Sequence, residues 1–300
     1  MNAAESAPRP PGGTSLLAGR RVARIGFGAM QLAGGHTRPA PDPEQVKAML
    51  RAAVAGGVNH IDTAQFYSRG RCNELIREAL APYPEHLVLV SKVGAEPAGE
   101  AGLALAQKPE QLRAEVEANL VGLGVERIDV VNLRRADAPP GLVAEGEQIV
   151  DIDSQLAVLI ALRDEGKIGA IGLSHVSAEQ VKHALPAGIV CVQNAYSLLD
   201  RATQPVLDVC REHGIAWVPY FPLGSAFPQF PKVVEHPTVI ETAKSLDVTP
   251  AQVGLAWLLA TYEETLLIAG TVNPAHLAEN IAAGNVRLDK ETIAVLDGLA

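Results

Sequence analysis

The chain has 300 residues, of which 48% are apolar and 20% charged, and a formal net charge of −9, an ordinary globular balance with length enough for a large core. The acidic balance argues against a nucleic-acid partner, because phosphate binding needs a basic face. No apolar run approaches the roughly 20 residues that span a bilayer, and the opening MNAAESAPRPPGGT lacks the apolar segment of a secretory signal.

Residues 1–14, rich in Pro, Gly and Ser, read as a disordered tail. Residues 15–300 read as one unit, with no internal repeat and no linker. Leu16-Leu17-Ala-Gly-Arg-Arg-Val22 predicts a small β-hairpin around Gly19. From there short apolar runs alternate with amphipathic segments. The strand candidates are 25–28, 60–62, 87–92, 128–134, 168–174, 189–193, 215–220 and 266–268, apolar runs as expected of strands buried on both faces. Asp42-Pro43, Thr249-Pro250 and Asn273-Pro274 each set a capping residue before a proline at the first helical position. Ser177 and Gln180 have capping-box spacing, and Val46, Met49, Leu50 and Ala53 form one apolar helix stripe. Eight strand–helix units predict an α/β fold, a (β/α)8 TIM barrel with an N-terminal hairpin, with an open doubly wound sheet as the rival. The three scattered cysteines, Cys72, Cys191 and Cys210, predict free thiols in a cytoplasmic protein with no metal site.

Barrel chemistry sits where strands end. The ends here are polar: Asp62, Lys92, Arg134, Ser174-His175, Gln193-Asn194 and Tyr220. Each alone could be a capping or satisfied rim residue; together they converge on one face. Long stretches follow several of them, at 94–109, 135–151 and 224–237, as expected where loops cover a site.

Asp62 and Tyr67 lie in His-Ile-Asp-Thr-Ala-Gln-Phe-Tyr, and Lys92 ends the next strand. A free phenol has a pKa of about 10, too high for an efficient acid near neutrality. A nearby ammonium lowers it, and a carboxylate keeps that ammonium charged and oriented. The trio can therefore donate a proton to a developing alkoxide. A second reading makes Lys92 the Schiff-base nucleophile of an aldolase barrel. The segment Gly26-Phe-Gly28-Ala-Met-Gln31 lacks the third glycine of a dinucleotide loop and precedes no helix start, so a Rossmann reading is weak.

Over essentially residues 15–300 the chain resembles the aldo-keto reductases. The motifs that carry the resemblance are Gly26-Phe-Gly-Ala-Met30, His60-Ile-Asp-Thr-Ala-Gln-Phe-Tyr67, Ser91-Lys92, Asp129-Val-Val-Asn-Leu133, Gly172-Leu-Ser174, Val192-Gln-Asn-Ala-Tyr196, Tyr220-Phe-Pro-Leu-Gly-Ser225, and Gly270-Thr271 through Glu279-Asn280. The resemblance implies a reductase of aldehydes and ketones that moves hydride from NADPH, or NADH, to a small-molecule carbonyl, with Tyr67 protonating the oxygen and Lys92 and Asp62 tuning it. By the same resemblance Ser174, His175 and Gln193 would meet the nicotinamide carboxamide and Tyr220 would underlie the ring. Leu223, Gly224 and Ser225 would meet the pyrophosphate. Gly270, Thr271, His276, Glu279 and Asn280 would take the adenosine end.

The sequence departs from the family at three points. Arg134 replaces the usual histidine that helps bind the carbonyl oxygen, so its charged fork either serves a polar substrate group or forms a rim salt bridge. His175 replaces a usual amide. The adenosine end offers no Lys or Arg for a 2′-phosphate among Gly270, Val272, Asn273 and His276. Asp-Val-Val-Asn-Leu-Arg, Val-Pro-Tyr-Phe-Pro-Leu-Gly and Ala-His-Leu-Ala-Glu-Asn resemble a bacterial branch of which some members interconvert pyridoxal and pyridoxine. The rival function is a cofactor-binding regulatory subunit, as some relatives partner membrane channels; the intact Asp62, Tyr67 and Lys92 favour an enzyme.

Overall fold

The computed structural model describes residues 9–34, 39–99, 102–139, 141–225 and 230–300. A hairpin of β1 (Thr14–Leu17) and β2 (Arg20–Ala23) opens the fold, with Leu17 opposite Arg20. The parallel sheet is then built from β3 (Phe27–Gly28), β4 (His60–Asp62), β5 (Val88–Val93), β8 (Ile128–Arg134), β9 (Ile168–Ser174), β10 (Ile189–Gln193) and β11 (Ala216–Trp217), each hydrogen-bonded to the next in that order. The eighth expected strand forms only single bridges. Leu267 pairs in parallel with Ile25 and Thr265 with Trp217, so this segment joins the sheet's two edges and closes the barrel. Its regularity is lost partly because two chains approach too closely for side chains: a Cβ on Gly28 would lie 2.4 Å from the Ile268 carbonyl oxygen, and one on Gly270 2.3 Å from that of Gly28.

The helices follow the strands: α1 (Pro43–Ala55), α2 (Arg71–Leu80), α3 (Pro109–Leu123), α4 (Ile152–Asp164), α5 (Ala178–Ala184), α6 (Gln204–His213), α7 (Pro237–Ser245), α8 (Pro250–Thr261), α9 (Pro274–Ala282) and α10 (Lys290–Asp297). The expected starts are realised. Asp42, Thr249 and Asn273 each accept a first-turn N–H, and Ser177 and Gln180 form the reciprocal capping box. The stripe Val46, Met49, Leu50 and Ala53 is the buried face of α1. None of the helices in the described residues is long and apolar enough to cross a membrane.

Two apolar layers result. One fills the space between strands and helices. The other fills the barrel with Val88, Val90, Val130, Cys191, Val218 and Leu266, and is plugged from below by Leu17 and Val22 of the hairpin. Two stretches depart from expectation. The predicted tail falls partly outside the described residues, but its end is placed: the Pro11 carbonyl accepts from Ile25 N–H, and Gly12 packs on Gly284. The long stretch after β5 carries an antiparallel hairpin, β6 (Ala95–Ala98) with β7 (Gly102–Leu105), of which Ala95 and Leu103 line the barrel mouth.

Candidate functional site

The polar strand ends open onto a cavity of about 920 Å³ at the C-terminal mouth of the barrel. At its floor, Asp62 ends β4 and Lys92 lies near the end of β5. The strands are parallel, with Asp62 opposite Val90, and both side chains are buried. Lys92 Nζ forms an ion pair with Asp62 Oδ1 and donates to the Thr63 carbonyl at 3.1 Å. Tyr67 begins the 3-10 turn Tyr67–Gly70, in which Ser68 and Arg69 are both held in left-handed backbone conformations (φ +46° and +56°), an energetic cost met by the surrounding structure. The turn sets the Tyr67 ring on the cavity wall, with the Lys92 nitrogen 5.0 Å from its centroid.

The electrostatics differ in one respect from the sequence expectation. Burial raises the pKa of the Tyr67 phenol and Lys92 pulls it down, but burial wins and the net direction is upward. Tyr67 is therefore a fully protonated phenol at neutral pH. Burial also works against charge on Lys92, yet Asp62 and Tyr67 outweigh it and hold the ammonium above its ordinary pKa. Such an amine is a poor Schiff-base nucleophile.

Behind the floor, a buried amide network fixes these strand ends. Asn73 of α2 accepts from the Thr63 hydroxyl (2.7 Å) and donates to Gln65 (2.7 Å) and Asn119 (3.0 Å), and Asn119 of α3 accepts from the Ser91 hydroxyl (2.5 Å). Sequence reasoning missed both asparagines. Their signal is a polar residue on the apolar face of a predicted helix.

The other predicted site residues divide. Ser174, Tyr220, Leu223 and Gly224 line the cavity beside the floor, and Gly270, Thr271, His276, Glu279 and Asn280 line its far end, where α9 begins. Ser225 is not on the wall. Gly224 has a backbone reason of its own: φ is +85°, and a Cβ there would lie 2.2 Å from the Pro231 carbonyl oxygen. Gln193 stands behind the wall, donating to Asp62 Oδ2 at 2.7 Å, and its Oε1 is buried without a partner. His175 is turned away by a left-handed backbone (φ +58°). Its Nε2 lies 2.7 Å from the Ala138 carbonyl, which can only accept, so Nε2 carries the proton and Nδ1 accepts from the Tyr220 hydroxyl at 3.1 Å. Burial lowers the His175 pKa, which keeps that ring neutral. Arg134 ends β8 opposite Ser174 and lines the cavity. Phe66, Leu103, Leu142, Phe221 and Phe230 complete an apolar wall that the sequence did not reveal, because four of them lie on turns or loops whose path it does not fix.

The residues suit a nicotinamide dinucleotide. The aromatic Tyr220 and the buried Ser174 flank the floor, and the N-terminus of α9, with its spare N–H groups, closes the far end. A closed parallel barrel whose mouth carries a phenol beside a buried lysine–carboxylate pair, with a dinucleotide-sized groove leading away, defines a barrel oxidoreductase. Residues 24–300 match the sequence model of the aldo/keto reductase family, and this chain belongs to that family. It is an oxidoreductase of carbonyl compounds that uses a nicotinamide cofactor. It is 43% identical to pyridoxine 4-dehydrogenase of Escherichia coli (strain K12) over 96% of its own length and 98% of that protein's. Among solved structures, the thermostable aldo-keto reductase Tm1743, in complex with the inhibitor epalrestat, is similar with a TM-score of 0.79 and 26% identity, over 96% of this chain and 99% of that one. An aldo-keto reductase from Klebsiella pneumoniae in complex with NADPH shares the fold with a TM-score of 0.77 and 24% identity, over 93% and 91% of the two chains.

Proposed function

We propose that this chain is an NADP(H)-linked reductase of small aldehydes, with pyridoxal as its foremost substrate and Tyr67 as the proton donor. The observation that carries the proposal is the buried Lys92–Asp62 pair set against Tyr67 on the cavity floor. When bound, the reduced nicotinamide supplies a hydride to the carbonyl carbon. The chain's own residues do the rest. Tyr67 donates its phenolic proton to the carbonyl oxygen as negative charge develops there, and the fixed ammonium of Lys92 stabilises the phenolate left behind. Asp62 keeps Lys92 charged and Gln193 keeps Asp62 oriented. Ser174 and Tyr220 would hold the nicotinamide end, and Thr271, Asn273 and His276 the adenosine end. Phe66, Leu103 and Leu142 would give the substrate an apolar wall beside the floor.

Pyridoxal is favoured by the 43% identity to a pyridoxine 4-dehydrogenase, which covers nearly all of both chains. Three buried, unpaired cysteines suit a reducing, cytoplasmic compartment. The deciding experiment is steady-state oxidation of NADPH and NADH with a panel of aldehydes and ketones, pyridoxal included. Cofactor binding without turnover of any carbonyl would overturn the proposal in favour of a regulatory subunit.

A further inference from the structure

Two consecutive arginines at the end of β8 have opposite fates. Arg135 is fully engaged at three nitrogens: it donates to both oxygens of Asp137 (2.5 and 2.8 Å), to the Val150 carbonyl (2.8 Å) and to Gln155. Arg134 points the other way, onto the cavity wall, and its Nη1 is buried with no hydrogen-bond partner. Among the described residues no carboxylate lies within 4 Å of its guanidinium, whereas Lys92, the other cation on the wall near the floor, is neutralised by Asp62. The flanking groups give Arg134 no compensation. His175 is neutral, with both ring nitrogens engaged, and burial pushes the Tyr220 phenol up to about 12. The cavity it faces is lined also by Phe66, Leu103, Leu142 and Phe230. An uncompensated guanidinium in such apolar surroundings is costly, and an anion placed against it gains the strongest class of hydrogen bond.

We infer that Arg134 is the anion-binding residue of the substrate pocket, and that the preferred substrates carry an ionised oxygen on the same ring as the reducible carbonyl. Either a carboxylate or an aryl hydroxylate offers the required chemistry. The inference rests on the reductase reading above and narrows its substrate class.

The test uses matched pairs that differ only in charge: 3-carboxybenzaldehyde against its methyl ester for the carboxylate, and pyridoxal against its 3-O-methyl ether for the hydroxylate. In the wild type, kcat/KM for the anionic member of at least one pair exceeds that of its neutral partner by about 10-fold or more, the range of a charge-assisted hydrogen bond. The pair that shows the preference identifies the oxygen. In Arg134→Met that ratio falls toward one, and Arg134→Lys restores part of it, because charge returns without the planar fork. A ratio near one in the wild type for both pairs, or a ratio unchanged in Arg134→Met, overturns the inference. So does a weakening of NADPH binding by Arg134→Met as large as the loss of anionic preference, since the guanidinium would then serve the cofactor. Should the wild type turn over none of the four aldehydes, the reductase reading fails. Calorimetric titration of wild type and Arg134→Met with benzoate, in the presence of NADP, then judges the anion site by itself. Binding lost with the guanidinium supports it, and equal binding or none overturns it.

Discussion

Gln193 reaches from β10 across the barrel to donate its amide N–H to Asp62 Oδ2 at 2.7 Å, while Lys92 takes the other carboxylate oxygen. Asp62 is thus held from two sides, and the Lys92 ammonium, bonded to it and to the Thr63 carbonyl, stands 5.0 Å from the centroid of the Tyr67 ring. This arrangement fixes the ammonium beside Tyr67, the proposed proton donor, to the strand framework.

Tyr67→Phe removes the transferable proton and leaves the ring packing on Phe66, a T-shaped contact at 5.1 Å, in place. We expect kcat for aldehyde reduction to fall by about 10²–10⁴-fold, the range for loss of a general acid, with the dissociation constant for NADPH within about 2-fold of wild type. Stopped-flow turnover and fluorescence titration of the cofactor measure the two. A Phe variant that reduces aldehydes at near wild-type rate removes Tyr67 from the mechanism.

Lys92 separates the reductase from the aldolase alternative. Its ammonium is paired with Asp62 and held above its usual pKa, so it is not available as a free amine. Borohydride added to the wild type with an aldehyde substrate should leave the protein mass unchanged. Lys92→Met should raise the Tyr67 pKa further, since the Lys92 charge that opposes burial is gone, and depress kcat/KM across the pH range. A stable mass adduct mapped to Lys92 would point to Schiff-base chemistry.

Much of this was legible in the sequence, and the parts that were not share a physical cause. Strands β8, β9 and β10 have the bounds their apolar runs predict, because strands buried on both faces leave a continuous signal. The segment 266–268 and the strand at 215–220 are shorter than expected, since at the closing seam hydrogen bonding gives way to isolated bridges at Thr265 and Leu267. Asp62, Tyr67, Lys92 and Arg134 do meet on one wall. His175 and Gln193 do not line it, because which way a strand-end side chain turns depends on φ and on cross-barrel partners such as Ala138 and Asp62. The net pKa of Tyr67 was hidden for the same reason: composition names the neighbouring charge but not the depth of burial.

At the far end of the cavity, proposed to take the adenosine, His276 is the single basic side chain among the described lining residues. We expect NADPH to bind more tightly than NADH by a modest factor, about 10-fold or less, as befits one imidazole and the α9 N–H groups meeting a phosphate. His276→Ala should bring the two dissociation constants closer together. A ratio of thousands in the wild type would mean that a cation from outside the described residues supplies the contact.

The last prediction concerns pH and stability. Glu115 of α3 is buried, accepts the Gly94 N–H at 2.6 Å, and has its carboxyl pushed up to about 8 by burial. Since this folded pKa lies above the unfolded value, the folded state binds the extra proton, and the stability it contributes is present at low pH and lost as pH rises toward 8. His60 acts in the opposite sense. It is buried against Gly26 with neither ring nitrogen partnered, and burial lowers its pKa to about 4. Its contribution is present above the unfolded value of 6.5 and lost as pH falls toward 4. His175, shifted the same way by burial, adds to that limb. The acid and base slopes oppose each other below pH 6.5, so stability should peak near that pH. Above it the Glu115 slope stands alone, at about 1.4 kcal/mol per pH unit. Urea-unfolding midpoints measured from pH 5 to 8.5 should show this decline on the alkaline side. Glu115→Gln keeps an oxygen for the Gly94 N–H but cannot ionise, so it should flatten the curve between pH 6.5 and 8 and steepen the rise below 6.5, where the His60 slope is no longer opposed. A decline of equal slope in the Gln variant would place the titrating group elsewhere.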